Sequence, residues 1–359
     1  MNKATSAYLD FLRVIAAFGV VLVHANLSWF SNGLFLPEQL GHKLVMIFFV
    51  LSGYLIAFTV HEKNKGAKRY LVDRLSRLYS VVLPALVFTY VLDSIGKYFH
   101  PGFYIIQLAP DHQIIRFFLN ATFLSQIWGL STKPSSNGPF WSISYEFWYY
   151  MLFWAYCYLK GKKRYIGLII ICLITGIKIL ILFPVWVFGV IAYRLSVKFR
   201  VAPKFGLMLF VISLVLIVVL TFLWDFSVFS KVFVFGRPPL FFSSRFVFDW
   251  IYGFVIAINL FAVSHLRQKV VIPALVINSI KNLSAMTFSL YLYHLPLLIF
   301  IAAFIDFNKS SYIQIIPLLV AVILIVNILS KITENQRDKI KLLINRFLDS
   351  VRIRTKNLV

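Results

Sequence analysis

The sequence predicts an all-α fold, a polytopic integral membrane bundle of about ten transmembrane helices with both termini in the cytoplasm. Three observations support this. Of 359 residues, 60% are hydrophobic and only 14% charged, a balance that excludes a soluble domain of this size. Apolar runs near the roughly 20 residues that cross about 30 Å of hydrocarbon recur along the chain. The cations are concentrated in alternate connections between those runs.

The runs lie at about 8–28, 44–61, 78–97, 141–159, 165–182, 184–197, 206–224, 246–264, 284–304 and 311–330. Asp10 and Arg13 interrupt the start of the first, and no small-residue cleavage pattern follows it, so it reads as a retained span and not a signal peptide. Ser52-Gly53 places a small pair in the second, which Gly53 suits for close helix packing, with Tyr54 a candidate pocket residue. Only Phe183-Pro184 separates the fifth from the sixth. Between 98 and 140, "DHQIIRFFLNATFLSQIW" has helical apolar spacing broken by charge, as in an interfacial or re-entrant helix. Residues 1–330 thus form one membrane domain. Residues 331–359 form a basic amphipathic tail suited to an anionic inner leaflet.

Assigning connections to alternate sides puts 26 Lys and Arg on the side of both termini and 8 on the other. By the positive-inside rule the termini are cytoplasmic, and an odd number of spans would have erased the bias. The net charge of +23 resides in these connections, without the basic soluble face that nucleic acid requires. Cys157 and Cys172 fall in or beside apolar runs, so neither a disulfide framework nor a cysteine metal site is expected, and no other metal site is.

Arg13 and His24 stand eleven positions apart, about 16 Å of rise and three turns plus roughly 20° on a helix. They share one face. A buried ionisable group in a span points to function unless it is simply satisfied by a neighbour, here by a helix for His24 and by Asp10 for Arg13. Arg74 and Arg77 form an i, i+3 pair suited to phosphate or to topogenic anchoring, with Lys68 and Arg69 beside them. Asn137-Gly138-Pro139 is a turn signal that leads into Trp141, Ser142 and, one turn deeper, Glu146. Trp148, Tyr149 and Tyr150 suit an interfacial aromatic belt, whereas a carboxylate at Glu146 needs a cation or hydrogen-bond partner. His294 precedes Pro296 in the ninth run and suits packing or a site equally. Arg237, Arg245 and Asp249 are outer charges that could contact a saccharide but read first as ordinary loop charge.

Five segments, in order along the chain, resemble the membrane-bound acyltransferase-3 family: "LDFLRVIAAFGVVLVH", "FFVLSGYLI", "RLSR", "GPFWSISYEFWYY" and "FSLYLYHLP". The resemblance covers nearly the whole chain. It implies a stand-alone member, without the fused extracytoplasmic hydrolase-like domain of many members, that acylates a carbohydrate. The donor it implies is acyl-coenzyme A, with acetyl-CoA the expected form, used as a substrate with no tightly bound cofactor. The acceptor is a surface polysaccharide, glycolipid or lipid-linked sugar at the outer side of a bacterial inner membrane. His24 and Arg13 take the family's catalytic roles, with Glu146 positioning the acceptor or orienting a cation. Arg74 and Arg77, assisted by Arg69, hold the donor, while Trp141, Ser142, Tyr54 and His294 line the pocket or meet the acceptor. His24 then serves as general base or as an acyl-imidazole nucleophile. Arginines at one side and an aromatic mouth at the other suggest a single through-membrane cavity. A secondary transporter with a His24/Glu146 proton relay is the rival reading, against which stands the lack of an inverted repeat in the sequence.

Overall fold

The computed structural model describes residues 3–63, 66–109, 111–222, 240–266 and 273–356. Helix dominates because a chain in hydrocarbon must satisfy its backbone hydrogen bonds within each segment. Helices α1 (Lys3–Ala25), α2 (Gln39–Lys63) and α3 (Ala67–Phe99) are followed by two short helices, α4 (Pro101–Gln107) and α5 (Gln113–Ala121). Then come α6 (Trp141–Tyr158), α7 (Gly161–Thr175), α8 (Ile177–Lys198), α9 (Pro203–Phe222) and α10 (Phe246–Val263). The last four are α11 (Ala274–Ala285), α12 (Thr287–Phe304), α13 (Tyr312–Ile332) and α14 (Arg337–Lys356).

Eight helices among the described residues are long and apolar enough to cross a bilayer: α1, α2, α3, α8, α9, α10, α12 and α13. The other two of the ten expected segments fold as α6 and α7. Helix α7 has only 15 residues. Helix α6 carries Trp, Tyr, Ser and Glu in place of aliphatic residues, and eleven of its side chains are buried inside the bundle.

Helix α12 forms the centre, with an unbroken buried run from Ser289 to Ile299 set among α1, α3 and α13. Beside it, α2 and α8 meet at backbone contact through two glycines. A Cβ on Gly53 would lie 2.0 Å from the Trp186 carbonyl oxygen, and one on Gly189 would lie 2.0 Å from that of Val50. The expected packing role of Gly53 holds, and Ser52 reinforces it by accepting a hydrogen bond from Trp186 Nε1 at 3.2 Å.

The break between α7 and α8 is at Gly176 and not at the expected Phe183-Pro184. Gly176 adopts φ 73° and ψ 176°, a conformation open to glycine, and the Trp128 ring covers it. Pro184 instead sits inside α8, forgoing one backbone bond while its neighbours continue the helix. Of the helix expected in the 98–140 connection, Gln113–Ala121 forms as α5. After α5 the chain turns at Phe123 and Trp128, both at positive φ, and packs back on the bundle, where Trp148 Nε1 donates to the Phe123 carbonyl at 3.0 Å.

The amphipathic tail packs against the bundle. Helix α14 lies across the start of α3, and Lys341 Nζ donates to the buried Asp73 carboxylate. Ahead of it, the Glu334 carboxylate accepts from Ser289 N at 3.1 Å and Ser289 Oγ at 2.8 Å. The C-terminal segment therefore closes the same end of the bundle as the start of α1, where Asp10 accepts from Ser284 Oγ of α11.

Candidate functional site

Two chambers open along the Arg13–His24 face of α1. At the end that carries the termini, Arg13, Arg74, Arg77, Glu146 and Tyr150 line a cavity of about 70 Å³, with Ser52 and Ser142 further in. At the opposite end, His24, His42, Trp141, Phe242 and Arg245 line one of about 520 Å³. Val45 and Tyr291 belong to the walls of both. The expected single cavity is therefore divided. Tyr291 is held in the partition by its own hydroxyl, which donates to the Pro139 carbonyl at 3.0 Å and lies 2.8 Å from Ser142 Oγ. The two hydroxyls share the Pro139 carbonyl, to which Ser142 Oγ also donates at 3.4 Å.

The smaller chamber is an anion trap by composition. Arg13 lines the cavity and approaches Asp10 through one terminal nitrogen at 3.4 Å, a long contact. The Arg74 guanidinium lies 5.9 Å from the Tyr70 ring centre, and its Nε is buried without a partner. Arg77 stands within electrostatic reach of Glu146 and Glu334. Glu146 accepts the Tyr150 hydroxyl one turn further along α6. An orphaned guanidinium N–H in a three-arginine pocket suits a ligand rich in phosphate.

In the larger chamber His24 Nδ1 lies 2.8 Å from His294 Nε2, and His294 Nδ1 lies 2.8 Å from the Leu290 carbonyl oxygen. These two contacts set the protons. A carbonyl only accepts, so His294 Nδ1 carries hydrogen; with both rings neutral, His294 Nε2 is bare and accepts from His24 Nδ1–H. His24 Nε2 is then the nitrogen with a free lone pair. The position of His294 four residues after Leu290 on α12 builds this arrangement from the helix itself.

Of the residues expected at a catalytic centre, the structure groups Arg13 and Glu146 in the smaller chamber and His24 in the larger. Arg74 and Arg77 join Arg13, and Ser142 stands at the partition. Arg69 is exposed on the first turn of α3 and lines neither chamber. Tyr54 turns away from both, edge-on to Tyr193 at 5.4 Å, because the Gly53–Gly189 contact faces it toward α8. Trp141 lines the larger chamber but lies against two near-parallel rings, Phe242 at 4.3 Å and His42 at 5.6 Å.

Two members of the site escaped the sequence reading. His42 Nε2 lies 3.0 Å from both oxygens of Asp249, which is fully buried on α10 and is no ordinary loop charge. Arg237, read with it, lies outside the described residues. Tyr291 was legible only as part of "FSLYLYHLP"; its spacing of three residues from His294 was the available signal.

Comparison with known proteins adds a second line of observation. The family described as "Acyltransferase domain" matches residues 6–331. The peptidoglycan O-acetyltransferase OatA of Listeria monocytogenes is 30% identical over 44% of this chain and 25% of its own length. The O-acetyltransferase OatA of Staphylococcus aureus strain NCTC 8325 is 30% identical over 40% of this chain and 23% of its own. An O-acetyl transferase of Shigella phage Sf6 is 27% identical over 45% of this chain and 49% of its own. The chain thus matches between about a quarter and a half of these relatives' length. No solved structure matches.

Proposed function

This chain belongs to the acyltransferase-3 family of multi-pass membrane proteins, and from that premise we propose that it moves an acetyl group from acetyl-CoA to a carbohydrate hydroxyl across the bilayer. The observation that carries the reading is the 2.8 Å contact of His24 Nδ1 with His294 Nε2 at a chamber of about 520 Å³ that His24 lines; with both rings neutral it leaves His24 Nε2 to accept a proton. O-acetyltransferases among the relatives support the acyl group and the acceptor class. The 26 to 8 distribution of Lys and Arg supports cytoplasmic termini in a bacterial inner membrane, so that the arginine chamber faces the cytoplasmic donor.

On this reading Arg13, Arg74 and Arg77 hold the phosphates of CoA, and the acyl-bearing arm passes Tyr291 to bring the thioester to His24. The sugar hydroxyl gives its proton to His24 Nε2 as its oxygen attacks the thioester carbonyl. The C–S bond breaks, and the departing thiolate takes the proton back from the imidazolium. General-base help of this kind contributes about 10²–10⁴ in rate. Glu146 orients the arginine cluster instead of meeting the acceptor. The rival proton relay has its two groups in separate chambers, His24 in one and Glu146 in the other.

The test is purified protein in vesicles given radiolabelled acetyl-CoA, with His24→Ala beside it. Wild type consumes the donor and the variant loses at least a hundredfold in rate. Wild type that neither binds nor consumes acetyl-CoA while a solute crosses the membrane would sink the reading.

A further inference from the structure

A side pocket of about 330 Å³ adjoins the His24 chamber, and the two share Gly138, Trp141 and Phe242 as walls. Its remaining lining includes Arg116, Gln126, Ser131 and Lys133, from α5 and the connection that follows it. The pocket has two cations and no carboxylate in its wall. Lys133 Nζ donates only to a neutral group, the Gln107 carbonyl at 2.9 Å, which leaves further N–H donors on the ammonium. Arg116 uses Nε and one terminal nitrogen on Asp111, at 2.8 Å and 2.7 Å, and keeps the rest of its fork. Gln126 is 1% exposed, and its Oε1 is buried without a hydrogen-bond partner. An orphaned amide oxygen of this kind is destabilising unless something donates to it.

These groups are complementary to one kind of ligand. Two cations take an acidic group by charge-assisted bonds, and a buried amide oxygen with a serine hydroxyl takes the hydroxyls beside it. Burial lowers the affinity of Lys133 for its proton, the Asp93 carboxylate opposes that shift, Arg116 adds to it, and an arriving anion raises the affinity further. Trp141 has a ring stacked on each face, Phe242 at 4.3 Å and His42 at 5.6 Å, so it offers no open stacking face between the chambers. The polar side pocket supplies the hydrogen-bonding groups for the sugar next to the one that reacts.

We propose that this pocket is a specificity subsite for the carboxylate or phosphate of an anionic saccharide acceptor. The assignment rests on the acyltransferase reading for the role of the ligand, but not for its binding. A saccharide with one hydroxyl at His24 extends its acidic group past Trp141 and Phe242 to Lys133 and Arg116. Neutral acceptors leave the remaining N–H donors of Lys133 and Arg116 and the Gln126 oxygen without a partner, which is the basis of discrimination.

Calorimetric titration of the full chain in detergent tests this with three probes and no donor: galacturonate trisaccharide, glucose 1-phosphate and the neutral maltotriose. At least one acidic probe should bind tenfold or more tighter than maltotriose, and which one does separates carboxylate from phosphate as the source. Lys133→Gln should abolish the preference and Lys133→Arg should keep it, both melting near wild type. The same preference in His24→Ala, which cannot transfer, keeps this result separate from the fate of the acyl-transfer reading. Equal binding of acidic and neutral probes, no binding of any probe, or full preference in Lys133→Gln would each overturn the proposal.

Discussion

Truncating His294 is the sharpest probe of the His24 arrangement. His294→Ala removes the acceptor of the 2.8 Å bond from His24 Nδ1 and leaves that N–H buried. In the ground state the proton is then free to move to Nε2, which blocks the lone pair. In the transition state the imidazolium loses a partner, and a hydrogen bond to a charged group is worth about 1.5–3 kcal/mol. At about 1.4 kcal/mol per factor of ten, the expected fall in kcat is about 10- to 150-fold. The Leu290 carbonyl sets the His294 proton without touching His24, and the Val20 backbone contact of His24 stays in place in the variant, so what is lost is the one contact between the rings. The assay is steady-state transfer from radiolabelled acetyl-CoA by protein of unchanged melting temperature. His294→Gln, whose amide oxygen can accept the same bond, should recover part of the loss, and the donor KM should not move. A folded His294→Ala variant within threefold of wild-type kcat would refute the tautomer argument.

Two further outcomes follow from other parts of the bundle. Arg74→Ala combined with Arg77→Ala should raise the donor KM by at least tenfold with little change in kcat, since charge-assisted bonds of about 1.5–3 kcal/mol each are lost at the binding step. A change confined to protein abundance or topology would instead make these arginines topogenic. Gly53→Ala forces a Cβ to 2.0 Å from a backbone oxygen that no rotamer can move, so α2 and α8 must part. Overpacking of about 1–3 kcal/mol or more is expected as a lower melting temperature in detergent, and an unchanged melt would count against the close contact.

Much of the bundle was legible because hydrocarbon imposes its own rule. A run of apolar residues long enough to cross must be helical, and each segment from 8–28 to 311–330 is helical over most of its described residues, the fifth being broken at Gly176. Where the sequence misplaced a boundary, local chemistry had two answers of similar weight. Pro184 and Gly176 both end helices in principle. Gly176 was chosen because its positive φ lets the chain fit beneath Trp128, whereas the ring of Pro184 is tolerated inside α8. The 98–140 connection was illegible because its turns use phenylalanine and tryptophan at positive φ, where sequence patterns point to glycine or asparagine.

At the site, the sequence by itself determined which groups share a helix face. Periodicity alone aligned Arg13 with His24 and Arg74 with Arg77, because the pitch of a helix is fixed by its backbone. Which groups meet across helices was decided only by tertiary structure. The contact of His24 with His294 spans 270 positions, that of His42 with Asp249 spans 207, and the partition at Tyr291 depends on Ser142 and Pro139 of another segment. No period in the chain encodes such distances. They arise when α1, α2, α6 and α12 settle against one another, and the same settling turned Tyr54 from the pocket and separated Glu146 from His24. A spacing names the face a residue occupies, and packing against other helices fixes what that face meets.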